Sequence, residues 1–168
     1  VMSSFEVVGG QKLSGTIHPQ GAKNEALQII CAVLLSKEKI IVKNVPDIID
    51  VNKLIDLLKS LGVEVRKTSK GTFEFQSNNI DLNYLNTEDF ELKGKSLRGS
   101  IMIVGPLLAR FGIASIPRPG GDKIGRRRLD THFENLIKLG GNFTYDKENK
   151  KYKIESKRLK SVSYTHLR

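Results

Sequence analysis

The chain has 168 residues, 39% hydrophobic and 27% charged, with a formal net charge of +10 at pH 7. That length and composition suit one soluble globular domain with a real core. No apolar run is long enough to span a bilayer, the single cysteine excludes an internal disulfide, and the cationic excess points to anionic partners without choosing among them.

Residues 5–19 read as a strand pair, Phe5-Glu-Val-Val and Leu13-Ser-Gly-Thr-Ile-His around Gly9-Gly10. A helix is expected from about Ala22, with Ala26, Leu27, Ile30, Val33 and Leu34 at helical spacing. Cys31 falls inside it and reads as a small buried hydrophobe rather than a reactive thiol. Ile40 to Val45 predicts a strand closed by Pro46. A helix follows Asp50, striped by Val51, Leu54, Ile55 and Leu58, and Leu61-Gly62 marks its end. Val63–Lys67 and Thr72–Gln76 predict a hairpin around Ser69-Lys70-Gly71.

Residues 78–94 are less regular and hold several short strand candidates. A third helix is expected from Ser96–Arg98, with Pro106 kinking or interrupting it. Ile113–Ile116 predicts a strand. Leu129, Phe133, Leu136 and Ile137 stripe a fourth helix ending at Gly140-Gly141, and Phe143–Tyr145 with Tyr152–Ile154 predict a second hairpin. Lys147, Lys150, Lys151, Lys153, Lys157, Arg158 and Lys160 read as a solvated strand face.

This order is an internal repeat. Leu35 to Pro46 and Leu108 to Pro119 are the same 11 residues apart, whereas Pro119 to Gly140 (21 residues) is five longer than Pro46 to Gly62 (16 residues). The extra length falls within residues 120–128, inside the stretch Pro117–His132. There three glycines and five cationic side chains surround Asp122. Glycines let a backbone approach a ligand closely, and arginines fix phosphates and carboxylates by forked hydrogen bonds. The stretch therefore reads as a lid over an anionic substrate, with Asp122 doing proton chemistry. His18, His132 and His166 are scattered without metal-ligand spacing, so no metal is expected. His132 suits a partly buried structural histidine as well as a ligand contact. The start of the chain lacks the regions of a secretory leader, so a cytoplasmic location is expected.

Five motifs keep their order across the chain: Gly21-Ala-Lys-Asn-Glu-Ala-Leu, Asn44-Val-Pro-Asp-Ile-Ile-Asp-Val, Leu97-Arg-Gly-Ser-Ile, Gly105-Pro-Leu-Leu-Ala-Arg-Phe-Gly and Pro119-Gly-Gly-Asp-Lys-Ile-Gly-Arg-Arg-Arg-Leu-Asp-Thr-His. Together they resemble the bacterial enolpyruvyl transferases, in the branch acting on UDP-N-acetylglucosamine. The resemblance implies an "inside-out" α/β fold of repeated strand-helix-strand-helix-hairpin units, this chain being one domain of two. It implies transfer of enolpyruvate from phosphoenolpyruvate to the 3′-hydroxyl of UDP-N-acetylglucosamine, releasing phosphate, as the first committed step of peptidoglycan synthesis. No metal, organic cofactor, nucleic acid or membrane is implied.

Residue by residue, Lys23 and Asn24 match the pair that contacts phosphoenolpyruvate, and Arg98 matches a residue of the sugar-nucleotide site. Arg127 matches the arginine that meets substrate phosphate. Arg127, Arg128, Leu129, Asp130 and Thr131 match the segment holding the uridine diphosphate. Asp122 stands where many members have a catalytic cysteine and a minority have aspartate; it would act as general acid. Lys123 and Arg127 favour its charged form, whereas burial under a closed lid beside an anionic substrate favours the protonated one. Asp122 is thus expected to be a competent acid only in the closed, liganded state. Without a thiol at 122, the epoxide inhibitor fosfomycin loses its target.

The family's proteins are longer than this chain. Residues 1–21 are expected to pack with a second domain that supplies the other wall of the cleft. Residues 22–161 would form the repeat domain, and 162–168 read as a non-native tail; alone, such a piece is expected not to turn over. Three alternatives stay open. One is the sister activity, 5-enolpyruvylshikimate-3-phosphate synthase, which typically has Lys-Ser where this chain has Lys23-Asn24. Another is a basic nucleic-acid-binding module, although no aromatic residue interrupts Arg126–Arg128 to offer a stacking platform. The third is a non-catalytic regulatory relative.

Overall fold

The computed structural model describes residues 4–118, 120, 128–147 and 150–161. Helix α1 (Lys23–Ala32) buries Ala26, Leu27, Ile30 and Cys31 and runs into a 3-10 turn, Val33–Leu35. Strand β1 (Ile40–Val42) leads to helix α2 (Ile49–Ser60), whose Val51, Leu54, Ile55, Leu57 and Leu58 are buried. The hairpin β2 (Glu64–Ser69) and β3 (Thr72–Gln76) follows. After a 3-10 turn at Leu82–Asn86 comes helix α3 (Glu88–Ser96). A 3-10 helix, Arg98–Ile103, passes directly into α4 (Val104–Phe111), then β4 (Ile113–Pro117). Helix α5 (Asp130–Lys138) and the hairpin β5 (Asn142–Asp146) and β6 (Lys151–Glu155) complete the second unit.

The repeat is real in three dimensions. Both sheets are antiparallel and three-stranded, with order β1-β3-β2 in the first and β4-β6-β5 in the second. In each, the middle strand carries one fully buried side chain. Phe75 pairs with Ile40 and Val65, and Ile154 pairs with Ala114 and Phe143. The two helix ends are the same motif. Gly62 (φ +104°) and Gly140 (φ +100°) take the left-handed conformation. Val63 N donates to Leu58 O as Gly141 N donates to Leu136 O, both at 2.9 Å. This is the glycine-closed helix end expected where carbonyls of the last turn need donors.

The helices lie inside and the sheets outside, the "inside-out" order. Ile30, Leu34, Leu54, Leu58, Ile103, Leu107 and Leu108 are essentially inaccessible, while β2 and β5 keep mostly exposed residues. The units differ in the connection from strand to helix. It spans residues 43–48 in the first and 118–129 in the second, where 119 and 121–127 lie outside the described residues.

Four expectations need correction. Residues 5–19 form no strands; Phe5 is 98% and Leu13 91% exposed. A two-stranded ribbon is marginal in water without a surface to bury its apolar face, and the described chain offers none. The strand candidates of 78–94 are a 3-10 turn and α3. Thr87 Oγ1 accepts from Phe90 N, acidic residues fill the first turn of α3, and Lys93 and Lys95 the last, all favouring a helix. Pro106 is not mid-helix: the expected third helix divides into the 3-10 helix Arg98–Ile103 and α4, and Pro106 sits in the first turn of α4, where its missing N–H costs least. The lysine-rich end is not wholly solvated: Lys151 is only 14% exposed, 3.8 Å from Glu91.

Candidate functional site

Lys23 opens α1, and its Nζ donates to Asp50 Oδ2 at 2.9 Å, in the first turn of α2. Asn24 beside it is exposed. The two helix starts are held together by the loop 43–48. A Cβ on Gly21 would lie 2.0 Å from the Asn44 carbonyl oxygen, so only glycine lets the chain entering α1 cross that loop. Asn44 itself has φ +58°, and Val45 N donates to Gly71 O at 2.8 Å, tying the loop to the β2–β3 turn. Neither helix start has a side-chain cap, since Ala22 and Ile48 occupy the cap positions. Their first N–H groups suit an anion.

Arg98 begins the 3-10 helix and is half-buried. Next to it Gly99 packs on Leu27: a Cβ there would meet the Leu27 Cδ1 at 3.2 Å. Lys23 lies one helical turn before Leu27 on α1. On the other side of Arg98, the base of the 117–132 stretch rests on the end of α3. A Cβ on Gly120 would fall 1.9 Å from the Lys95 carbonyl oxygen. Gly99 on Leu27 thus sets the 3-10 helix that begins at Arg98 against α1, and Gly120 on Lys95 sets the root of the Gly/Arg stretch against the end of α3.

The far root is different. Arg128 donates through Nε to Asp130 Oδ2 at 2.6 Å, with Nη2 at 2.5 Å from the same oxygen, so two residues of the segment expected to hold the uridine diphosphate pair with each other here. Leu129 is half-buried against the core, and its carbonyl accepts from His132 N at 3.0 Å. Thr131 and His132 are exposed. His132 is thus no core histidine; it stands at the rim of a cleft of about 280 Å³ with Ile101, Pro106 and Leu136. Asp122 and Arg127 lie outside the described residues, as does 162–168.

The Cys31 thiol is buried and pushed up to about 12 by loss of water, which removes its nucleophilic form near neutrality. Among the described residues no three His, Cys, Asp or Glu side chains gather as a metal site, and no helix is long and apolar enough to cross a membrane.

Two residues carry structural weight that the sequence reading left without a role. Asp50 lies inside the motif Asn44–Val51, and the available signal was an acid just after a helix start. Arg110 lies inside the motif Gly105–Gly112. Its guanidinium donates to the carbonyls of Leu34 (2.8 Å), Ser36 (3.1 Å) and Ser77 (2.8 Å), joining α4 of the second unit to the end of α1 and of β3 in the first.

Known proteins agree with this architecture. A UDP-N-acetylglucosamine 1-carboxyvinyltransferase of Bacteroides fragilis is 56% identical over 162 residues, 96% of this chain and 37% of that protein. One of Porphyromonas gingivalis is 50% identical over 158 residues, 94% of this chain and 36% of that protein. The chain thus spans little more than a third of the length of these curated relatives. Among solved structures, the enolpyruvyl transferase NikO from Streptomyces tendae superposes with a TM-score of 0.71 at 18% identity, covering 90% of this chain and 32% of its own. EPSP synthase from Acinetobacter baumannii gives 0.63 at 15% identity, covering 89% and 34%. These two likenesses establish the fold: one domain of a two-domain enolpyruvyl transferase architecture. Residues 7–166 match the family model for EPSP synthase (3-phosphoshikimate 1-carboxyvinyltransferase), and the chain belongs to that family.

Proposed function

We propose that this chain forms one domain of an enzyme that transfers enolpyruvate from phosphoenolpyruvate to the 3′-hydroxyl of UDP-N-acetylglucosamine and releases phosphate. The observation that carries this reading is 50–56% identity, across nearly the whole chain, to proteins named for that reaction. The paired starts of α1 and α2 support it, because they offer the Lys23 ammonium and uncapped helix N–H groups to an anionic substrate. In this reading Lys23 and Asn24 contact phosphoenolpyruvate. Arg98 and residues 127–131 hold the sugar nucleotide, and Asp122 is the general acid.

Residues 1–21 pack with the second domain, which supplies the opposite wall of the cleft, and residues 22–161 are the repeat domain. Without that wall the present chain does not turn over. The reaction belongs to the cytoplasm, where both substrates are made, and feeds the cell wall. Nucleic acid is not a partner.

Calorimetry of the full-length protein with UDP-N-acetylglucosamine tests the reading. The expected result is saturable binding that Arg127→Ala weakens; no binding would overturn it. A second reading follows from the name of the family model, the sister transfer to shikimate 3-phosphate. Titration with shikimate 3-phosphate in the same experiment separates the two.

A further inference from the structure

Lys23 stands in an awkward place for a cation. It is the first residue of α1, where the helix dipole disfavours positive charge, and its flexible stem leaves the ammonium free to wander. The structure supplies a remedy 27 residues away in sequence. Asp50 lies in the first turn of α2, where the dipole favours a carboxylate, and its Oδ2 takes one of the three ammonium hydrogens at 2.9 Å. The pair is built on a fixed frame, because Gly21 against Asn44 and Val45 on Gly71 lock the loop that sets the two helix starts.

We infer that Asp50 is a positioning residue: it holds the Lys23 ammonium between the two helix starts, leaving two N–H donors for the anion bound there. This rests on the reading of Lys23 as a phosphoenolpyruvate contact. An unheld lysine could still attract the anion, but the ammonium would have to be ordered during each catalytic cycle. The deficit therefore falls on kcat/KM for phosphoenolpyruvate rather than on the sugar nucleotide. An acid that merely steadied α2 would act independently of Lys23.

Steady-state kinetics of the full-length enzyme decide between these roles. Asp50→Asn is expected to lower kcat/KM for phosphoenolpyruvate about tenfold, with KM for UDP-N-acetylglucosamine changed less than about twofold. Asp50→Glu should recover most of the loss. In a Lys23→Met background, Asp50→Asn should cost nothing further, since the group it positions is gone. Calorimetric binding of UDP-N-acetylglucosamine by each variant verifies that it is folded. If Lys23→Met is impaired but the two losses multiply, Asp50 does not act through Lys23 and the inference falls alone. If Lys23→Met leaves phosphoenolpyruvate kinetics unchanged, the reading of Lys23 falls, and the inference with it.

Discussion

At the scale of single residues, the chemistry turns on which groups can ionise or react where they stand. Cys31 is the only thiol in the chain, and burial pushes it up to about 12, so it offers no thiolate near neutral pH. Position 122 carries a carboxyl group instead of a thiol. Full-length protein incubated with fosfomycin and digested is therefore expected to show no adduct on residues 117–132 and none on Cys31. An epoxide adduct on either peptide would refute this. Cys31 was legible in the sequence, because it falls four residues after Leu27, on the same apolar face of the helix. The Lys23–Asp50 pair was not, because its partners meet only once the loop 43–48 has folded.

At the scale of elements, the two repeat units are joined by more than apolar contact. Arg110 leaves α4 and satisfies three backbone carbonyls of the first unit, at Leu34, Ser36 and Ser77. Charge-assisted hydrogen bonds in a half-buried setting are strong, and removing the donor strands the acceptors. Arg110→Met should therefore destabilise the protein by about 2–4 kcal/mol, read as a lower urea midpoint. A midpoint within error of the parent would show that water replaces the guanidinium. The apolar spacing around the motif Gly105–Gly112 announced a helix, but three acceptors from distant segments leave no trace in sequence spacing. Pro106 shows the converse: periodicity placed it mid-helix, whereas the 3-10 segment Arg98–Ile103 absorbs the preceding residues and leaves it in a first turn.

At the scale of the whole molecule, a net charge of +10 makes the surviving carboxylates matter for stability. Glu74, Asp89 and Glu91 are held below the usual carboxylate range, chiefly by hydrogen bonds from Arg66, Lys93 and Lys95. Because folding favours their charged forms, the unfolded chain takes up protons first as the pH falls. Their contribution is complete above a pH of about 5 and is lost as the pH drops through the unfolded and then the lower folded-state values. Lys93, raised chiefly by its hydrogen bond to Asp89, contributes fully below the ordinary lysine value and so also at neutrality. Urea midpoints are expected to hold from pH 8 to 5 and to fall below pH 4. A Lys93→Met, Lys95→Met double variant should fall less over the same range. An identical fall in both proteins would place the acid sensitivity elsewhere.

The sequence by itself determined the units and their order. Helical and alternating periodicities, the prolines after the strands and the glycines after the helices all act locally, so they can be read from near neighbours. It also located the extra residues between strand and helix in the second unit, because a repeat supplies its own ruler. Only the tertiary structure decided what lies beside what. Lys23 meets Asp50, Gly99 meets Leu27 and Gly120 meets the Lys95 carbonyl through backbone crossings that join residues tens of positions apart. Residues 5–19 show the same dependence from the other side. Their alternation of apolar residues suits a strand, but a strand forms only where a surface exists to bury it, and the pattern alone does not supply that surface.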